Sequence, residues 1–135
     1  MSFVDWSGSL SVGIEEIDNQ HKKLIAIANR LHTAMIQGKG RNIVGEIISE
    51  LVDYASVHFE TEEKYMREFG FDGLDEHSVE HDDFTRKVLD FRSEFNKQNL
   101  LLSADVMNFL SNWLITHMLE TDRKYMECFY KNGLK

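Results

Sequence analysis

The chain has 135 residues, a length that suits one domain with a single core, and its 42% hydrophobic and 28% charged residues are ordinary for a globular protein. A formal net charge of −8 disfavours nucleic acid and anionic membrane surfaces as partners. No apolar run approaches the roughly 18 residues of a membrane span, no secretory signal is expected, and a single cysteine excludes an internal disulfide. We therefore predict a cytoplasmic protein.

The absence of proline permits long helices, because no residue forces a helix to kink or stop. Residues 1–16 lack a helical pattern, so we predict an extended N-terminal arm laid over a core. Apolar residues then recur in steps of three and four, which predicts four helices. Within a single domain of residues 1–135, the predicted helices cover about 18–37, 41–69, 74–97 and 104–130.

The connections between the predicted helices are short. Gly38 and Gly40 separate the first two helices, Gly70 and Gly73 mark the next turn, and Ser103 is the predicted N-cap of the fourth helix. Since a short connection returns each helix alongside the last, we predict an all-α fold, an antiparallel up-down-up-down four-helix bundle.

Five histidines stand on the apolar stripes of these helices. A single inward histidine is more often a hydrogen-bonded core residue than a ligand. Five neutral imidazoles in one apolar core would lack partners unless a metal ion supplied them. Because imidazole suits zinc, copper, iron and nickel, the pattern predicts a transition-metal centre. The five residues, spread over all four helices, are His21, His58, His77, His81 and His117.

Two spaced pairs strengthen this interpretation. His58 and Glu62 are four residues apart, as are His77 and His81, so each pair projects from one face of its helix. Glu62 falls on the inward stripe, where an unpaired carboxylate is expensive to desolvate. A carboxylate there could bridge a second ion with its other oxygen.

Other reactive side chains are interpreted as structural. Glu60, Glu63 and Asp75 belong to acidic runs, which are usually solvated helix faces. His32 lies about 16 Å along its helix from the nearest candidate ligand, at 1.5 Å per residue, so we predict a packed or partly exposed histidine at the far end of the bundle. Cys128 is predicted to pack as a small apolar residue.

The spacing resembles the hemerythrin family, whose ligands are a lone histidine, HxxxE, HxxxH and HxxxxD on successive helices. Here these elements read DNQHKKL, HFETE, HSVEH and HMLETD, in that order and over essentially the whole chain. The short chain and its aromatic N-terminal arm with Trp6 look most like the bacterial single-domain members. The resemblance implies seven metal ligands: His21, His58, Glu62, His77, His81, His117 and Asp122.

By the same resemblance, the chain would bind dioxygen reversibly at a non-heme di-iron centre with an oxo or hydroxo bridge. His77, His81 and His117 would bind one iron, and His21 and His58 would bind the other. Glu62 and Asp122 would bridge the two ions. The apolar oxygen pocket would be lined by Leu24, Phe59, Trp113, Leu114 and Met118. The resemblance also implies competition by small anions such as azide, a monomer, and an oxygen-consuming enzyme as recipient.

The step from His117 to Asp122 is unusual for a ligand pair. Five residues turn about 140° on an ideal helix, so the two side chains cannot project identically. Either they approach the metal ions from different angles, or a π-bulge widens the helix there.

Two other functions are associated with similar sites. Di-iron oxidases and peroxide-handling enzymes on similar bundles use two Glu-x-x-His motifs, which are missing here. Oxygen-sensing or iron-sensing modules usually carry a second signalling domain, for which 135 residues leave no room. We therefore predict a non-enzymatic protein for dioxygen carriage, storage or delivery.

Overall fold

The computed structural model describes residues 11, 13–97, 102–113, 116–117 and 122–133, with only the backbone at 122, 123, 127 and 130. Thr116 and His117, which follow the fourth α-helix, have π-helical backbone, and a 3-10 turn at Asp122–Tyr125 precedes the last α-helix. The α-helices in the described ranges are α1 Glu15–Ile36, α2 Gly40–Phe69, α3 Leu74–Asn96, α4 Leu102–Trp113 and α5 Met126–Lys131.

The first helix begins earlier than its pattern suggests. α1 starts at Glu15, so the last two residues of the predicted arm are helical. Glu15, Glu16 and Asp18 lie in its first turn, where negative charge is favourable at the positive end of the helix dipole. Residues 1–10 and 12 of the predicted arm lie outside the described residues.

The predicted fourth helix is divided in the structure. It begins at Leu102, which is buried and packs in the core, and the first α-helical segment ends at Trp113. Ser103 therefore lies inside the first turn with its side chain buried, so the prediction that Ser103 caps the helix is wrong. The burial of Leu102 against the other helices draws this residue into the helix ahead of the polar side chain.

Two glycines end helices in the left-handed conformation that favours glycine. Gly38 has φ 73°, and the Lys39 N–H donates to the Ala34 carbonyl at 2.7 Å. Gly70 has φ 68°, and the Phe71 N–H donates to the carbonyl five residues back at 2.9 Å. Both bonds satisfy carbonyls left open at a helix end and turn the chain sharply.

The helices form an antiparallel bundle. α1 packs against α2 and α4, and α3 packs against α2 and α4. Ile17 near the start of α1, Met66 near the end of α2 and Leu74 at the start of α3 meet at one end of the molecule. Successive helices therefore run in opposite directions, and the predicted up-down-up-down four-helix bundle is confirmed.

Two hydrophobic clusters fill the bundle. The main core contains, among others, Leu24, Leu31, Ile47, Leu51, Phe84, Val88, Val106 and Leu110. The end cluster contains the buried residues Ile14, Ile17, Met66, Tyr125 and Phe129. None of the described helices combines the length and apolar character needed to cross a bilayer.

Candidate metal centre

A layer of buried polar side chains separates the main core from the end cluster. On α1, His21 lies one turn after Ile17 of the end cluster and one turn before Leu24 of the main core. α2, α3 and the π-helical turn bring the other members to the same level. The layer consists of His21, His58, Glu62, His77, His81 and His117, each at most 2% exposed. Polar groups buried to this extent require compensating partners.

The layer divides into two groups that share one carboxylate. In each group the candidate donor atoms all lie within 4.8 Å of one another. The three-histidine group is His77, His81, His117 and Glu62, and the two-histidine group is His21, His58 and Glu62. Because Glu62 belongs to both groups, its carboxylate stands between two sets of imidazoles.

Several imidazole nitrogens converge on one oxygen of Glu62. The Nε2 atoms of His58 and His81 each lie 3.1 Å from Glu62 Oε1, and His77 Nε2 lies 3.6 Å from it. Burial alone raises the pKa of Glu62, but the neighbouring histidines, His58 foremost, hold that pKa well below its ordinary value. Glu62 is therefore an anion at the centre of the layer.

A chain of hydrogen bonds determines the tautomer of His58. The Thr61 hydroxyl donates to the Val57 carbonyl at 2.8 Å and accepts from Gln20 Nε2 at 3.2 Å. The amide oxygen of Gln20 consequently faces His58 Nδ1 at 2.6 Å, so this nitrogen carries the proton. His58 Nε2 is the nitrogen that faces the layer.

His81 is held in the same way by a carboxylate. Its Nδ1 donates to Glu63 Oε2 at 3.0 Å, because a carboxylate can only accept, and Ser78 donates to the other oxygen at 2.8 Å. Burial raises the pKa of Glu63, but the bonds from His81 and Ser78 bring that pKa below its ordinary value. The interpretation of Glu63 as a solvated residue is wrong, because α3 packs beside α2 and brings two donors to it.

The donor set fits a metal ion. Neither carboxylate oxygen of Glu62 nor Nε2 of His81 has a hydrogen-bond partner among the described atoms, although all three atoms are buried. His58 Nε2 lies 3.1 Å from the same carboxylate and 3.2 Å from His21 Nε2. Buried polar atoms require a partner, and imidazole with carboxylate is a transition-metal donor set.

The π-helical turn positions the last histidine. Thr116 and His117 have π-helical backbone, whereas residues 118–121 lie outside the described residues, so both alternatives for the HMLETD segment stay predictions. His117 stacks on Trp113 with ring centroids 4.0 Å apart and an interplanar angle of 15°. Asp122 begins the 3-10 turn, but its side chain lies outside the described atoms, so its ligand role stays a prediction.

Apolar side chains cover the layer on the main-core side. Leu24 is fully buried, and Phe59 stacks on His81 with centroids 3.8 Å apart and an interplanar angle of 7°. Trp113 is half-buried and lies 5.9 Å from the Phe59 ring. The predicted pocket residues Leu114 and Met118 lie outside the described residues.

Two reactive residues stand apart from the layer. His32 is half-buried on α1 and belongs to neither group of candidate donors. Cys128 is half-buried against the end cluster, and its thiol lies 3.8 Å from the Phe69 carbonyl oxygen. Both positions agree with the structural interpretation of these residues.

Sequence reasoning missed three residues that contact the outer nitrogens of the histidines. Gln20 accepts from His58, Glu63 accepts from His81, and Glu80 Oε1 lies 3.5 Å from Nδ1 of His117. Each of the three directly precedes or follows a predicted ligand along the chain. Their position next to a predicted ligand is therefore the feature of the sequence that could have identified these three residues.

Comparison with known proteins agrees with the geometry. The family profile described as hemerythrin HHE cation binding domain matches residues 12–129. The bacteriohemerythrin of Pseudomonas aeruginosa is 35% identical over 127 residues, covering 94% of this chain and 82% of the relative. That of Clostridium acetobutylicum is also 35% identical, with 90% and 98% covered. A crystal structure of wild-type hemerythrin is 26% identical with a TM-score of 0.83, covering 94% of this chain and 98% of that one. The chain belongs to the hemerythrin family.

Proposed function

We propose that the chain binds dioxygen reversibly at a non-heme di-iron centre. The observation that carries the proposal is that Glu62 belongs to both groups of donors, so one carboxylate can bridge two neighbouring metal ions. Family membership and the bacteriohemerythrin relatives favour iron as the metal. The proposed ligands are His21, His58, Glu62, His77, His81, His117 and Asp122.

The described side chains prepare the layer for such ions. Gln20 and Glu63 accept the Nδ1 protons of His58 and His81, which directs both Nε2 atoms inward. Iron ions held by these residues would supply the electrons that reversible dioxygen binding requires. The Glu62 carboxylate balances part of the added positive charge in a layer from which water is excluded.

Apolar residues favour dioxygen over water beside the centre. Leu24 and Phe59 are buried next to the layer, and Trp113 covers one face of His117. A neutral, apolar molecule enters such surroundings without losing hydrogen bonds, whereas water and small anions do lose them. We assign the same role to Leu114 and Met118 on the family resemblance.

The donor chemistry favours binding over catalysis. Di-iron enzymes on related bundles present mostly carboxylates, whereas the described layer has five histidines and one carboxylate. Neutral imidazoles leave a smaller negative charge around the metal ions, which disfavours highly oxidised states. Carriage, storage and delivery of dioxygen all use this same binding step.

Repeated oxygenation tests the proposal. The protein is loaded with ferrous iron without air, exposed to dioxygen and purged with argon, while its absorption spectrum is recorded. A carrier gains and loses its colour over many cycles and releases little hydrogen peroxide. Irreversible bleaching with one peroxide or one oxidised substrate formed per cycle would indicate an oxidase instead.

A matched pair of variants on α1 tests the ligand assignment. His21→Ala removes a proposed ligand, so it is expected to lower the iron content below two ions per chain and to abolish the coupled pair. His32→Ala removes the histidine of the same helix that lies outside both groups, and it should retain two ions. Metal analysis and magnetic susceptibility decide between them. Equal iron loss in both variants contradicts the assignment.

A further inference from the structure

The two donor groups differ in the charge of a residue that accepts a hydrogen bond from the Nδ1 atom of a histidine. In the three-histidine group, His81 Nδ1 donates to the carboxylate of Glu63 at 3.0 Å. In the two-histidine group, His58 Nδ1 donates to the neutral amide oxygen of Gln20 at 2.6 Å. A hydrogen bond to a carboxylate draws the N–H proton away more strongly than one to an amide, so it makes the opposite nitrogen a stronger metal donor.

Glu63 is fixed in this position. Ser78, one turn before His81 on α3, donates to Glu63 Oε1 at 2.8 Å while His81 occupies Oε2. The side chain is only 23% exposed, so its negative charge is incompletely screened by water. The bond therefore links α2 to α3 and sets the ring orientation of His81.

A second carboxylate stands beside the same group. Glu80 Oε1 lies 3.5 Å from His117 Nδ1, which is too long for a strong hydrogen bond but close enough for electrostatic attraction. The three-histidine group thus combines three imidazoles with two outer carboxylates, Glu63 and Glu80.

We propose that Glu63 is a positioning residue that makes the three-histidine group the tighter metal site, so that this group is filled before the two-histidine group. The proposal rests on the two-metal function proposed above. A metal cation at the three-histidine group would gain an additional imidazole and the His81 ring that Glu63 orients. Gln20 supports His58 without adding charge, which leaves the second ion more weakly bound.

Titration of the metal-free full-length chain with cobalt(II) under argon tests the order of filling. Absorption in the visible range measures each dissociation constant, and proton NMR detects the strongly shifted, exchangeable N–H signals of metal-bound imidazoles. The first equivalent is expected to produce three such signals, from the three-histidine group, and the second to add two. Two signals first and three afterwards would overturn the proposal.

Three variants test whether the charge of Glu63 determines the order in which the two groups are filled. Glu63→Gln keeps the shape of the side chain but removes its charge. This variant should raise the dissociation constant of the first ion about 10-fold to 100-fold and leave that of the second ion unchanged. Gln20→Glu should lower the dissociation constant of the second ion about 10-fold. Glu60→Gln removes a carboxylate from the exposed surface of the same helix α2 and should change neither constant by more than about twofold.

The outcomes separate this proposal from the proposed function. Binding of fewer than two cobalt ions by the parent chain contradicts the two-metal site itself. If the parent chain binds two ions but Glu63→Gln and Glu60→Gln have equal effects, the proposed role of Glu63 is wrong. The same conclusion follows if Glu63→Gln shifts both dissociation constants together. If circular dichroism shows that Glu63→Gln does not fold, Ser78→Ala tests the same point. That variant loosens the carboxylate, and a selective weakening of the first ion supports the proposal whereas unchanged constants overturn it.

Discussion

Among the residues that the structure describes, the main core and the end cluster differ in size and in composition. The main core draws buried side chains from α1, α2, α3 and α4 and is largely aliphatic. The end cluster has five described buried side chains, two of which are Tyr125 and Phe129, whose rings stack with centroids 4.5 Å apart. The described apolar side chains are therefore distributed unevenly along the bundle.

The polar layer explains why this difference matters. It lies between the two clusters, and the described atoms give neither oxygen of Glu62 nor Nε2 of His81 a hydrogen-bond partner. Buried polar atoms of this kind cost free energy, which a bound cation would offset. We therefore expect the part of the bundle around the end cluster to depend more on bound metal than the main core does.

Metal removal is the largest expected disturbance. Each ion present at about 1,000 times its dissociation constant stabilises the fold by about 4 kcal/mol, so chelation should lower the free energy of unfolding by that order per ion. Amide hydrogen exchange measures where the loss falls. We expect amides around Met66 to lose protection before those around Leu51. A uniform loss along α2 would show that the two clusters are equally dependent on the layer.

Two substitutions on α2 sharpen the comparison. Leu51 in the main core and Met66 in the end cluster are both fully buried, and truncation of such residues to alanine costs about 2 to 5 kcal/mol. In the metal-loaded protein both losses should fall in this range. In the metal-free protein Leu51→Ala should retain its full effect and Met66→Ala should lose most of its effect. Urea unfolding in both states gives the four values, and equal losses for Met66→Ala in the two states contradict the comparison.

The smallest expected effect concerns the border of the end cluster. The Tyr65 hydroxyl donates to Glu16 Oε2 at 2.7 Å, and this bond raises the pKa of Tyr65 above its ordinary value. The stabilisation is therefore fully present below pH 10 and is lost as the pH rises through the higher folded-state pKa. At pH 8, Tyr65→Phe should lower the free energy of unfolding by about 0.5 kcal/mol, because the bond is open to solvent. Once the tyrosine is ionised, the substitution should no longer lower it. Thermal unfolding across this alkaline range measures the difference, and a constant difference between the two proteins at every pH contradicts it.

The register of the inward-facing residues was predictable because helical periodicity is a local property. Ile17, His21 and Leu24 follow each other at steps of four and three, and the structure buries all three. The start of α4 was not predictable from the local cap signal, because burial of Leu102 against other helices outweighed the preference of Ser103 for a cap.

By itself, the sequence determined the four helices, their antiparallel order and the six buried polar residues of the layer, because spacing along one helix decides which side chains share a face. Only the tertiary structure decided how the layer is supported. Glu63 points outward from α2 by its position in the helix, and it becomes a partner of His81 only because α3 packs alongside. The charge difference between Glu63 and Gln20 at the two groups follows from packing between helices, which a single helical pattern does not contain.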